Sequence, residues 1–386
     1  MPSLKDYIER DYGIRRTPLY IAERCTERKA TAHVCQTCAE ICPQNIYPTG
    51  KRKRPMWDQC LKCGLCAAAC PARCITVPSR KAESFLMAVA RKGKLTVACE
   101  KEDSAARLNE RCVAALSWEQ LAYAALREGV VISLRACGEC GDEACKEIID
   151  RNLKELKFFL GEEVYRERVT VLREGDTYEV STYEEAISRR DLFGFLGNLS
   201  VDKAFTMMPK MVSARDSGLF FRAMLRDMVA QNAEGSEPAQ RPRYAVRLPH
   251  FTKKCYNCGH CEQACPNEAL KLVKGRDGFT VKVDVWKCTG CGLCKNKCRA
   301  GGIDGIVPMR VSTLGAVAVA KLPDHICSIC GRVYAYDTEL DHCKTCEAKL
   351  HAAEMKRERE ERRKRKAQQE ADEALEAKIA AGATET

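Results

Sequence analysis

The most regular pattern of apolar and polar positions lies in the middle of the chain. Three apolar runs that are too short for helices predict buried strands: Leu95–Cys99, Val130–Ala136 and Val169–Leu172. Between them, a capping box that begins at Ser117 precedes a predicted helix Leu121–Arg127, and Ala144–Leu160 has apolar residues at helical spacing. This alternation of strands and helices predicts a small parallel α/β domain over residues 94–175.

The flanking patterns are less regular. Residues 176–243 combine a helical segment with a linker at Gln231–Arg243 that contains Gly, Ser and Pro. The Phe, Leu and Met residues of the segment favour a core over a partner-facing surface. Leu270–Val273 and Phe279–Val285 lie on either side of a glycine-bounded turn and predict a short helix or strand followed by a strand. Residues 351–386 are highly charged, which predicts a charged helix or a disordered tail.

The chain has 386 residues, of which 26 are cysteine, with 45% hydrophobic and 30% charged residues. That ordinary balance excludes wholesale disorder, and the length allows several domains. Apolar runs stay far below the roughly 20 residues of a membrane helix, and the charged N-terminus lacks the apolar core of a secretory signal. We therefore expect a cytoplasmic protein whose cysteines bind metal rather than form disulfides.

The strongest motif is a pair of cysteine runs within residues 250–310. Each run has three cysteines separated by two residues and a fourth after three more, a spacing that suits two [4Fe–4S] clusters. Because the fourth cysteine of each run reaches the other cluster, the expected ligand sets are Cys255, Cys258, Cys261 and Cys298 for one cluster, and Cys288, Cys291, Cys294 and Cys265 for the other. Two zinc sites are the weaker alternative, since tetrahedral zinc needs fewer cysteines.

Residues 1–80 contain a similar pair of cysteine runs, but the first run lacks the usual first cysteine. The expected ligand sets are Cys25, Cys35, Cys38 and Cys70 for one cluster, and Cys60, Cys63, Cys66 and Cys42 for the other. Ala32 stands where the first ligand belongs, so Cys25 must reach the site through a longer loop. If it does not, the site holds a three-iron cluster or a water-ligated iron. Cys74 is surplus and is expected to be a small buried residue.

Both regions resemble two-cluster ferredoxin domains, and the chain as a whole resembles a polyferredoxin. The resemblance covers residues 25–77 and 255–307 and implies one-electron transfer at low potential, without implying a substrate. The expected fold class is α+β and multidomain. It combines two ferredoxin-type modules, the α/β domain and a C-terminal pair of cysteine knuckles.

The α/β domain contains cysteines at the predicted ends of its strands, where such sheets place their sites. This domain weakly resembles the hydrogenase delta-subunit domain, a small α/β unit with an iron–sulfur centre. On that resemblance Cys99, Cys137, Cys140 and Cys145, or Cys112 in place of the last, would hold a fifth cluster. The alternative is that these are buried or free thiols. The chain lacks GxGxxG and GxxxxGK motifs, so no nucleotide-phosphate loop is predicted.

Residues 323–350 contain two knuckles with the spacing of a tetrahedral metal site, formed by Cys327, Cys330, Cys343 and Cys346. The first knuckle is similar to the rubredoxin-like tail of rubrerythrins, which would imply iron. Lys344 stands where proline usually follows the third cysteine in those tails, so we favour zinc.

The formal net charge of +11 could indicate nucleic-acid binding. However, an oxidised four-iron core held by four thiolates carries two negative charges, so four clusters would offset most of that excess. The basic runs Lys51–Arg54 and Arg362–Lys366 remain, and they favour an acidic redox partner over nucleic acid.

Together these features predict an electron-transfer protein that relays single electrons through four [4Fe–4S] clusters, as a carrier or as an oxidoreductase subunit. No catalytic acid, base or nucleophile is required. The alternative is a protein-binding or nucleic-acid-binding protein whose clusters and zinc are structural, and the reversibility of cluster reduction distinguishes the two.

Overall fold

The computed structural model describes residues 19–29, 35–47, 55–76, 85–86, 88–90, 92–102, 106, 108–110, 112–140, 142–178, 219–252, 254–255, 257–275, 278–322, 325–331, 333–334 and 341–382. Most of the predicted helical segment before residue 219 and the basic run Lys51–Arg54 lie outside these residues.

The N-terminal cysteine-rich unit is closed by its two ends. Strand β1 (Leu19–Tyr20) pairs antiparallel with β2 (Ile75–Thr76), and the N–H of Ile21 donates to the carbonyl of Cys74 at 2.8 Å. Between these strands lie short helices at Thr26–Lys29, Thr37–Glu40 and Leu65–Ala69, with 3-10 turns at Ala22–Arg24 and Trp57–Gln59.

The α/β domain is built on a parallel sheet. Its strands are β3 (Leu95–Cys99), β4 (Leu108–Glu110), β5 (Val130–Ser133) and β6 (Val169–Leu172), in the order β4-β3-β5-β6. Every residue of β3 and β5 is buried, as expected for parallel strands covered on both faces. The predicted parallel sheet is therefore present with an additional edge strand, and the strand predicted to reach Ala136 ends at Ser133.

The helices of this domain are Trp118–Arg127, Cys137–Cys140, Glu143–Leu160 and Glu162–Arg168, with a 3-10 turn at Val113–Ala115. Ser117 and Gln120 form the predicted capping box, in which the Gln120 N–H donates to Ser117 Oγ at 3.4 Å and the Ser117 N–H donates to Gln120 Oε1 at 2.9 Å. The first helix therefore begins at Trp118 rather than at Leu121.

The C-terminal cysteine-rich unit contains two antiparallel sheets. Strand β7 (Tyr244–Phe251) pairs with β10 (Ile303–Val311), while β9 (Gly278–Asp284) lies between β8 (Leu270–Gly275) and β11 (Ala316–Leu322). The segment predicted as a short helix or strand is thus a strand. Helices His260–Ala264 and Leu293–Lys297 follow the cysteine loops.

One hydrophobic core joins the α/β domain to the C-terminal unit. The ring of Phe159 stacks on Tyr244 with centroids 5.0 Å apart, and both side chains are buried. The helix Phe220–Asn232 also contributes Leu225 and Val229 to this core. This helix extends into the first residues of the predicted linker. Leu65 and Ala69 of the N-terminal unit belong to the same core, so both cysteine-rich units pack against the α/β domain.

The chain ends in a small hairpin and a long helix. Strand β12 (His325–Ile326) pairs with β13 (Val333–Tyr334), and the helix Lys344–Gly382 follows. At 1.5 Å per residue its 39 residues extend about 58 Å. Of the two predictions for the tail, the structure has the charged helix. Over the described ranges, none of the helices combines the length and apolar character needed to cross a membrane.

Candidate metal centres

The C-terminal unit brings together thiols from its two cysteine runs. The thiol of Cys261 interacts electrostatically with those of Cys255, Cys258 and Cys298. The thiol of Cys294 interacts with those of Cys288, Cys291 and Cys265. Each group therefore combines three cysteines of one run with the last cysteine of the other run.

In the N-terminal unit, each group of thiols likewise includes the last cysteine of the other run. The thiol of Cys66 interacts with those of Cys63, Cys60 and Cys42. The thiol of Cys38 interacts most strongly with Cys70, and then with Cys25 and Cys35. Cys25 thus lies with the group that the spacing assigns to it, although ten residues separate it from Cys35.

The backbone after the last cysteine of each run repeats the same turn four times. The third residue after that cysteine is left-handed in every case: Asn45 (φ 48°), Arg73 (φ 52°), Glu268 (φ 53°) and Gly301 (φ 66°). Its N–H donates to the carbonyl of the cysteine at distances of 3.0, 3.2, 3.3 and 3.3 Å respectively. The four loops are therefore structurally equivalent, although their residue types differ.

The chemistry of these groups fits metal clusters. Burial raises the pKa of the Cys66, Cys261 and Cys38 thiols to about 12, so their thiolate forms need a positive partner. Backbone N–H groups point at the sulfurs, since Lys62 donates to Cys60 Sγ and Ala269 to Cys265 Sγ, each at 3.3 Å. Such donors stabilise sulfur ligands of iron–sulfur clusters.

Cys74 is buried, as expected, but it is not an isolated residue. Its hydrogen bond lowers the pKa of the Cys25 thiol to about 5 despite burial, and its Sγ lies 3.4 Å from that of Cys70. It therefore contacts two members of the candidate ligand set. Cysteine spacing does not reveal this contact, because it depends on how Cys25 folds back beside β1.

The α/β domain gathers thiols at the ends of β3 and β5. The thiols of Cys99 and Cys137 each interact with those of Cys112 and Cys140. The N–H of Lys101 donates to Cys99 Sγ at 3.4 Å. Cys145, the fourth member of the predicted set, lies in the first turn of the helix Glu143–Leu160, and its thiol hydrogen-bonds to Cys112 and Asp142.

The C-terminal knuckles also bring their cysteines together. The thiols of Cys327, Cys330, Cys343 and Cys346 all lie within 4.8 Å of one another. Four sulfurs at 2.3 Å from a tetrahedral metal are about 3.8 Å apart, so this group needs little adjustment to bind one ion. The N–H of Cys343 donates to Cys327 Sγ at 3.3 Å.

A buried ion cluster between the modules has no signal in the sequence. Glu119 on the helix Trp118–Arg127 accepts hydrogen bonds from Arg73 at 2.5 Å and from Arg222 at 3.0 Å, and its side chain is 2% exposed. Burial alone would raise the pKa of this carboxyl, but the two guanidinium groups lower it to about 2. The three residues are far apart in the chain, so only the fold reveals this Arg73–Glu119–Arg222 cluster.

Grouped thiols, most of them buried or half-buried and some accepting N–H hydrogen bonds, suit an iron–sulfur protein of the ferredoxin class. A 4Fe-4S dicluster domain matches residues 254–301. An uncharacterized ferredoxin of Methanocaldococcus jannaschii is 32% identical over 59 residues, which cover 15% of this chain and 77% of that protein. The chain therefore belongs to the ferredoxin family.

The chain is also similar to the dihydromethanopterin reductase (acceptor) of Methanosarcina mazei. The two are 34% identical over 80 residues, which cover 20% of this chain and 30% of the reductase. The match therefore spans less than a third of the reductase. No solved structure matches this chain.

Proposed function

We propose that this protein is an electron carrier, or an electron-transferring subunit of an oxidoreductase, that relays single electrons through four [4Fe–4S] clusters. The proposal rests on four sets of cysteine thiols. Each set combines three cysteines of one part of a module with the last cysteine of the other run in that module. When bound, such clusters supply one-electron chemistry at low potential.

The chain's own residues would hold the clusters, exclude water and adjust their potentials. Apart from Cys258, the candidate ligand cysteines of the clusters are buried or half-buried, which limits solvent access, while N–H donors and nearby arginines would favour the more negative, reduced form. No proton transfer by a side chain is needed. The similarity to a reductase named for an acceptor supports a role beside a redox partner.

The basic run Arg362–Lys366 suits such a partner, because it lies on an exposed part of the helix Lys344–Gly382. An acidic redox protein would be attracted to this surface, with an association rate that falls as ionic strength rises.

Two further metal sites belong to the proposal. The thiols of Cys99, Cys112, Cys137 and Cys140 would hold a fifth iron–sulfur cluster, since they interact with one another at the carboxyl ends of the strands. The Cys327, Cys330, Cys343 and Cys346 group would hold zinc, because it forms a closed four-thiolate site.

Iron and acid-labile sulfide analysis of the full chain after anaerobic reconstitution tests the proposal. Four clusters give about 16 iron per chain, a fifth raises this number, and about 8 would eliminate one ferredoxin module. An EPR-monitored redox titration then tests function. Reversible one-electron reduction supports electron transfer, whereas clusters that cannot be reduced reversibly would assign them a structural role.

A further inference from the structure

The two ferredoxin modules meet at their cysteine loops. Cys291 of the C-terminal unit packs against the buried cluster of Cys66, Cys70 and Cys74 in the N-terminal unit. The thiols of Cys291 and Cys70 also interact electrostatically. Cys70 and Cys291 belong to different candidate ligand groups, so these two groups are neighbours in space although they come from opposite ends of the chain.

The Arg73–Glu119–Arg222 cluster ties both loops to the α/β domain. On one side, Arg73 donates to the carbonyl of Ala68 at 2.8 Å, in the helix between Cys66 and Cys70. On the other side, Arg222 donates to the carbonyls of Cys288 and Val285 at 2.7 and 3.1 Å. Both guanidinium groups bind the carboxylate of Glu119, so one buried side chain is shared by the arginines that contact the two loops.

The space between the loops is small and carries positive charge. A cavity of about 220 Å³ lies there, bounded by Cys70 on one side and by Cys288 and Gly290 on the other. Arg151 also lines it, and its pKa is lowered by burial and by the nearby Arg73. The positive charge of these arginines would offset the negative charge of two thiolate-ligated clusters bound on either side of the cavity.

We propose, on the basis of the function proposed above, that the two ferredoxin modules form one electron path that crosses between Cys70 and Cys291, and that Glu119 holds this crossing closed through Arg73 and Arg222. The group of Cys25, Cys35, Cys38 and Cys70 and the group of Cys265, Cys288, Cys291 and Cys294 are then the inner pair of the path. The other two ferredoxin groups are its outer ends. With clusters bound by these two groups, a single electron would pass from one inner site to the other, and no proton or atom would be transferred.

Glu119 acts here as a positioning residue, because its carboxylate contacts arginines rather than candidate cluster ligands. Loss of its charge leaves two buried guanidinium groups facing a neutral side chain, which disfavours the closed arrangement. Electron tunnelling weakens exponentially with distance, so a small separation of the loops slows the crossing without altering the ligands of any cluster.

Pulsed EPR of the fully reduced full-length protein tests the crossing. In a Cys60→Ser and Cys258→Ser background, which perturbs the two outer clusters, we expect spin–spin coupling between the inner pair. Reversible reduction of both inner clusters without coupling between them would overturn the crossing and leave the electron-transfer function intact. Failure of both clusters to reduce reversibly would reject the electron-transfer function itself.

Glu119→Gln, made in the same background, tests the positioning role. We expect the iron content of the inner pair to be retained, the coupling to weaken, and electron transfer between the modules after flash photoreduction to slow at least tenfold. Glu155→Gln is the matched control, because Glu155 lines the same cavity but pairs with Arg247 at a more exposed site. Unchanged coupling in Glu119→Gln would overturn the role of Glu119. If that variant does not fold, Arg222→Lys is the second test, because it keeps the charge but loses the forked contacts. It must show the same weakening of the coupling for the role of Glu119 to stand.

Discussion

The thiol of Cys74 lies 3.4 Å from the thiol of Cys70 and also hydrogen-bonds to Cys25. A fifth thiol therefore contacts a candidate cluster site that needs four. Its hydrogen bonds to Cys25 and Cys70, together with burial, raise the pKa of the Cys74 thiol, so Cys74 remains protonated while its two neighbours ionise more readily.

From this arrangement we expect Cys74 to act as a reserve ligand. We expect Cys25→Ser to retain a four-iron cluster with an altered EPR signal, because Cys74 can replace the lost thiolate after a short movement. The Cys25→Ser and Cys74→Ser double variant should give a three-iron signal after mild oxidation. Cys74→Ser alone should keep the wild-type spectrum. A three-iron signal in the Cys25→Ser single variant would show that Cys74 does not reach the iron.

The exchange of fourth ligands in the C-terminal unit gives a reciprocal prediction. Cys265→Ser should perturb the cluster of Cys288, Cys291 and Cys294, while Cys298→Ser should perturb the cluster of Cys255, Cys258 and Cys261. Each variant should change one of the EPR signals and leave the others, since each thiol faces the opposite run. If each substitution instead damages the cluster of its own run, the ligands are not exchanged.

Gly302 supports the loop of Cys255 through a close backbone approach. A Cβ at this position would lie 2.8 Å from the Cα of Cys255, and backbone atoms cannot move aside as a flexible side chain does. We expect Gly302→Ala to destabilise the unit by about 1–3 kcal/mol and to weaken iron retention at the Cys255 site, as measured by thermal unfolding and iron analysis.

Gly305→Ala is the control, because Gly305 lies in β10 three residues after Gly302 and its Cβ would meet only a side-chain methyl of Val307 at 3.5 Å. Its unfolding free energy should change by no more than about 0.5 kcal/mol. Equal effects of the two substitutions would mean that the approach of Gly302 to Cys255 is unimportant.

The α/β domain offers a test between two neighbouring cysteines. Cys112→Ala should remove the proposed fifth cluster, because the Cys112 thiol interacts with those of both Cys99 and Cys137. Cys145→Ala should leave it in place, since the Cys145 thiol contacts the group through Cys112. Iron analysis and Mössbauer spectra of the full chain measure both. A loss confined to Cys145→Ala would restore the ligand set that the resemblance favours.

Local signals predicted the regular elements well. The capping box at Ser117 and the apolar runs of β3, β5 and β6 depend on neighbouring residues, so they can be read from the sequence alone. Strand β4 was not predicted, because its three residues Leu108–Glu110 contain only one apolar side chain and are held by pairing with β3.

The contacts at the candidate sites also fall into those that local sequence patterns predict and those that they do not. Cysteine spacing predicts ligand sets for the C-terminal unit, because a short loop limits where each thiol can reach, and the variants above test them. It could not predict the contact of Cys291 with the N-terminal unit or the pairing of Arg73 with Glu119, 46 residues away. These contacts depend on how whole domains pack, and no local pattern encodes that packing.

Three of the four equivalent left-handed turns contain residues with a side chain, and one of these residues is Arg73. A non-glycine residue in this conformation costs about 1–2 kcal/mol, so the turn depends on its preceding cysteine being held in place. Arg73 also binds the buried carboxylate of Glu119. We therefore expect loss of the metal at the Cys70 site to loosen the contact between the modules, so that occupancy of this site and the docking of the two modules change together.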